Sequence, residues 1–223
     1  MPYLLRGALV EYGVNLVGPI PNLVIFQFNP ETLTRALNIP PRPSGTGSRE
    51  VSQAGEAPVE RITLTAHFSA ADQLAADNVL ARMFGVGPRL AALEKMARPP
   101  AAGGGLLGKA LDAIGDMLGM GGDDAVVQNV PRETYPRVLF IWGLTRVLPV
   151  TIESMTITEQ EYDFLLNPVR AEVSLGLSVI APDPCSDDEI AKGAREYSDL
   201  ARDVQAVANL ANTISQAAEL IPF

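Results

Sequence analysis

Residues 149 to 179 read PVTIESMTITEQEYDFLLNPVRAEVSLGLSV, and the spacing of apolar side chains within them decides the fold. Val173, Leu175, Leu177 and Val179 alternate with Glu172, Ser174, Gly176 and Ser178, the two-residue period of a strand with one buried face and one small, polar face. The preceding segment alternates too, but its apolar parity switches from Val150 and Ile152 to Met155 and Ile157. One extra residue near Glu153-Ser154, a β-bulge, accounts for the switch and bends a sheet toward closure. Between the two strands Asn167-Pro168 removes a backbone donor and turns the chain.

The same grammar recurs upstream. In VERITLTAHF (59–68) Ile62, Leu64, Ala66 and Phe68 share one face, and Arg61, Thr63, Thr65 and His67 the other. VLFIW (138–142) is apolar on both faces, as a central strand is. Further strands are expected at 3–10 and 22–28, the second running into another Asn-Pro corner in FQFNP (26–30). Residues 38–58, rich in Pro, Gly and Ser and without hydrophobic period, form a loop long enough to be mobile and to order on a partner.

From Ala70 the period becomes helical. AADQLAADNVLARMF (70–84) places Leu74, Val79, Leu80, Met83 and Phe84 on one side, and VGPRLAALEKMAR (86–98) adds a second helix. After the break PPAAGGG (99–105), LLGKALDAIGDMLGM (106–120) carries an apolar stripe weakened by Gly108, Gly115 and Gly119. The stretch from about 85 to 131 is expected to be peripheral. At the far end SDDE (186–189) reads as a capping box with Ser186 as N-cap and Glu189 at the third helical position. A long helix follows in which Ile190, Tyr197, Val204, Ala211 and Ala218 repeat every seven residues, with Gly193, Leu200, Val207, Ile214 and Ile221 three positions later. That pattern fits either a coiled-coil seam or a helix docked on a neighbouring surface.

The expected class is thus α+β, mainly β: a barrel or sandwich over residues 1–182 with the 38–58 loop and a helical insertion at about 70–131, then an acidic helical extension, 183–223. Its 223 residues, 47% hydrophobic, suffice for a core. A net charge of -9 argues against nucleic acid and anionic membrane as partners. Of that charge, residues 183–223 carry eight acids against three bases, or -5. No apolar run approaches the ~20 residues of a membrane span, and MPYLLRGALVEYG does not read as a secretory leader, so the expected location is the cytoplasm.

Reaction chemistry is hard to find. GGGLLGK (103–109) satisfies the glycine and lysine positions of a phosphate-cradling loop, but Ala110 stands where Ser or Thr would hold magnesium, and no strand precedes it. A nucleotide-binding enzyme using Gly103 to Lys109 is the alternative from another functional class; GTGSRE (45–50) is weaker still. His67, the only histidine, lies on a polar strand face, and Cys185 is the only cysteine. Glu159 and Glu161, two apart, could share a strand face as the paired carboxylates of a glycosidase do, but acids ending a strand are usually a solvated rim. Trp142 reads as a core anchor rather than a ligand-stacking platform. The expectation is no catalytic, cofactor-binding or metal-binding residue.

Two of these segments carry a resemblance. FQFNPETLTR (26–35) is similar to the F-x-F-N-P-x-x-L-x-R signature of contractile injection system tube-domain proteins, the baseplate hub adaptors of phage-tail-like contractile particles. PRVLFIWG followed by residues 149–179 resembles the second half of that family, and the likeness spans both ends of residues 3–181. It implies a tail-tube-like β-barrel that self-associates in a ring, hexameric or similar, and joins inner tube, spike and baseplate wedge proteins without catalysis. An inner-tube or tube-terminating cap subunit of the same particle is the near alternative. Many relatives carry a LysM module after the barrel; here an acidic helix stands in its place, so cell-wall binding is not implied. Arg35 and Arg170, just past the two Asn-Pro corners, are candidates for contacts between subunits, or else ordinary surface arginines.

Overall fold

A computed structural model describes residues 5–12, 22–40, 58–98, 135–183 and 185–220. Seven strands form one antiparallel sheet in the order β2-β1-β5-β6-β7-β4-β3. They are β1 (Ala8–Tyr12), β2 (Leu23–Ile25), β3 (Leu33–Asn38), β4 (Val59–Ser69), β5 (Arg137–Trp142), β6 (Arg146–Tyr162) and β7 (Pro168–Val179). Between β4 and β5 lie α1 (Ala71–Ala75), α2 (Val79–Phe84) and α3 (Gly87–Ala97); α4 (Glu189–Leu220) closes the chain.

The strongest alternations hold. Ile62, Leu64, Ala66 and Phe68 of β4 and Val173, Leu175, Leu177 and Val179 of β7 are buried together, and β4 pairs with β7 from Arg61↔Ser178 to Ser69↔Arg170. The β6–β7 ladder shifts register between Ile152 and Ser154, where the parity switch places a bulge. Phe140 of β5 is fully buried and stacks on Trp142 at 5.9 Å, so Trp142 is a half-buried anchor at the core margin.

Boundaries and one whole strand differ from expectation. The first strand begins at Ala8, and the second covers only Leu23–Ile25, because Phe26 turns into the core and the chain bends before Asn29. The strand β3 carries no burial pattern to announce it: all of its residues but Leu33 are exposed. The expected 70–84 helix is two short ones, broken where Asp77 takes a left-handed φ of 54° and Asn78 caps α2 by accepting from Leu80 N and Ala81 N. Of its expected inner side Leu74 does pack against the core, but Val79, Leu80, Met83 and Phe84 are exposed and Ala81 is the buried residue of α2. Nor is α3 peripheral: Leu90, Leu93 and Met96 belong to the same core as the sheet. The 106–120 helix, Gly103 to Lys109 and most of the 38–58 loop lie outside the described residues.

The two outer strands, β2 and β3, are joined by only residues 26 to 32. Seven strands side by side in a flat sheet place their outer members about 29 Å apart. That is the most a fully stretched connection of this length reaches, about 29 Å. The connection is bent and buries Phe26, so the sheet must curve and draw its edges toward each other. No ladder pairs β2 with β3 among the described residues.

Candidate interaction surface

Both Asn-Pro corners are fastened by their asparagine side chains. Asn29 Oδ1 accepts from Gly7 N at 3.1 Å and its Nδ2 donates to Leu5 O at 2.8 Å, tying the bridge to the strand entering β1. Close approach is needed here: a Cβ on Gly7 would stand 2.7 Å from the rings of both Phe26 and Trp142. At the other corner Asp163 Oδ1 accepts from Leu165 N and Asn167 N, and Asp163 Oδ2 accepts from Asn167 Nδ2. These bonds, the Asn167 side chain first, hold the Asp163 carboxyl below its usual range. Asn167 Nδ2 also donates to Met83 O, and Val86 N to Pro168 O, so α2 is clipped beside the β6–β7 turn. This end of the sheet displays Phe164, 91% exposed, next to Leu165 and Leu166.

The opposite end of the sheet holds α4. Asp188 is its N-cap, with Oδ1 accepting from Ala191 N at 2.9 Å. The expected cap, Ser186, instead accepts from Asp188 N, because a two-residue turn precedes the helix. Asp188 Oδ2 also accepts from Tyr12 OH at 3.1 Å and pairs with Arg137 at 3.4 Å. Burial, with the charge and hydrogen bond of Asp188 adding to it, pushes the Tyr12 phenol well above its usual value. About two and a half helical turns along, Tyr197 OH donates to Leu144 O, and buried Ser198 Oγ accepts from Val147 N and donates to Val147 O.

A buried charge completes the attachment. Glu60 sits on the apolar parity of β4 and is only 3% exposed. Arg35 Nε donates to its Oε1 at 2.7 Å and Arg202 Nη2 to its Oε2 at 2.8 Å. Burial alone would raise the Glu60 carboxyl, but these two guanidiniums outweigh it and hold it below its usual range. Arg146 stands close by, and burial with the charges of Arg35 and Arg202 lowers its own value. Edge strand, sheet and terminal helix are thus tied through one carboxylate. Its sequence signal is available in retrospect: a glutamate in phase with Ile62 and Leu64.

The residues singled out from sequence do not converge. Arg35 is engaged with Glu60, and Arg170 pairs with Glu161 of its own chain at 3.1 Å. Glu159 accepts from Tyr162 OH, at 3.4 Å, rather than facing Glu161 across a site. His67 lies opposite Glu172 on the outer face, and Cys185 is exposed. Among the described residues no His, Cys, Asp and Glu group is arranged to hold a metal, and no helix is long and apolar enough to cross a membrane. A surface groove of about 550 Å³ between Ala181-Pro182 and α4 is lined by charged residues, of which Lys192 and Arg195 already pair along the helix. Among the described residues the geometry leaves two strand edges unpaired, an apolar turn exposed and a helix that outruns its own support. No protein-family model matches the sequence, and no curated protein matches it.

Proposed function

We propose that the chain is a structural subunit of a contractile injection particle, a tail-tube-like barrel whose copies form a ring between inner tube, spike and baseplate wedge. The observation that carries this reading is β3. Its outer edge is unpaired among the described residues, its faces are exposed, and Ile39 just beyond it is 77% exposed. A strand that its own domain leaves uncovered fits one completed by a neighbour. β2 offers the complementary edge, also unpaired among the described residues, with Leu23 and Ile25 half exposed. An edge-to-edge contact repeated around an axis is heterologous and closes as a ring, hexameric or similar. The motifs at residues 26–35 and 136–179 agree with it.

Co-expression with its particle neighbours tests the reading. The chain is expected to copurify in ring-bearing assemblies, and particles made without it to lack baseplates or full-length tubes on electron micrographs. A chain found as a lone monomer and absent from such particles overturns the proposal. Copy number then separates an adaptor, one ring per particle, from a tube subunit, many rings.

A further inference from the structure

The helix α4 has two faces with different work. Ala191, Ala194, Ser198 and Arg202 face the body, buried or half-buried and tied to it through Val147 and Glu60. The heptad positions Ile190, Tyr197, Leu200, Val204 and Val207 lie elsewhere on the helix and are between 49% and 67% exposed. From Asp203 to Thr213 every residue is exposed, so the helix continues past the sheet that anchors it. Among the described residues the chain's own body thus leaves the seam from Leu200 to Val207 uncovered, with Tyr197 tied to Leu144, while holding the helix in a fixed orientation.

We infer that this seam joins the α4 helices of two or more copies of the chain in a parallel, in-register bundle. The repeat itself selects another helix over a flat surface. A strict seven-residue stripe drifts by about 20° per heptad around a straight helix, so it stays on one contact line only when helices wind about each other. From Ile190 to Ala218 the sequence spans four such steps.

Between identical copies, the flanking charges favour the parallel orientation. The positions flanking the seam are Ala201 and Ala208 on one side, following Ala194, which the chain's own body buries, and Glu189, Glu196, Asp203 and Leu210 on the other. Parallel pairing in register sets Glu196 of one copy against Ala201 of the next, and Asp203 against Ala208, with no like-charge contact and short side chains that let the helices approach. Antiparallel pairing turns the acid-bearing side toward itself. The inference does not depend on the particle reading.

Two sets of variants of the full chain test it. Sedimentation of the parent should give a mass above 23.7 kDa that falls when Val204→Asp and Val207→Asp are combined. Gln205→Asp with Asn209→Asp adds the same charge off the seam and should leave the mass unchanged. In a Cys185→Ser background, Val207→Cys should form disulfide-linked pairs on oxidation, and Asn209→Cys should not. A parent that stays monomeric across the micromolar range overturns the inference, as does a Val207→Cys chain that fails to cross-link. Rings that persist on micrographs with the seam variant, together with absent cross-linking, reject the bundle and leave the ring proposal standing.

Discussion

Arg202 reaches Glu60 across 142 positions of sequence and donates to its carboxylate at 2.8 Å, so the terminal helix is anchored by a charge that the sheet buries. Arg202→Ala leaves Glu60 its bond to Arg35, and the expected loss is about 1–3 kcal/mol. Glu60→Ala leaves Arg35, Arg146 and Arg202 facing one another, and about 3–5 kcal/mol is expected. Urea denaturation of the two variants should give that order.

The same carboxylate sets an acid limit. Its folded-state value lies below the unfolded one, so its contribution is complete above the unfolded value of about 4.3 and is lost as pH falls through the folded value. The pH dependence of unfolding should flatten in that window in Glu60→Gln. Tyr12 works at the other extreme: its folded value is raised, so its contribution is complete below about pH 10 and is lost as pH rises further. Absorbance titration should show one tyrosine ionising later than the rest, and Tyr12→Phe should remove it.

Ser198 makes both of its bonds to one residue of β6. Ser198→Ala leaves Val147 N–H and C=O without that partner under the helix, at an expected cost of about 1–3 kcal/mol. Limited proteolysis should then cut α4 sooner than in the parent.

Gly85 has a φ of 57°, and a Cβ there would lie 2.1 Å from Pro168 O, a backbone atom with no rotamer to yield. Gly85→Ala is expected to destabilise by more than the ~1 kcal/mol of a simple left-handed penalty, because α2 must move from the β6–β7 turn. Thermal melting should show a drop larger than that for Gly87→Ala, whose Cβ has room.

Asn29→Asp keeps an acceptor for Gly7 N but turns an oxygen toward Leu5 O. A loss of about 1–3 kcal/mol is expected, and Asn29→Ala should cost no more than that. Chemical denaturation of the pair measures it.

What sequence makes legible here is whatever burial writes as a period. β4, β7 and the bulge at Glu153 could be read because each places apolar residues on one face of the sheet. β3 could not, because exposure leaves no pattern, and the break at Asp77-Asn78 falls inside a run whose helical spacing continues across it. α3 looked peripheral because the core it fills is assembled from strands on both sides of it in sequence. The attachment of α4 was hidden for a similar reason: Tyr12, Glu60, Leu144 and Val147 meet it only in the folded chain. The edges left unpaired among the described residues, by contrast, follow from topology and no local signal carries them.

Strand order has a consequence for biosynthesis. β1 pairs with β2 and β3 with β4, but these two hairpins touch different ends of the sheet and are united only by β5, β6 and β7. A nascent chain holds two incomplete halves until β7 has emerged, so the sheet is expected to assemble late and slowly.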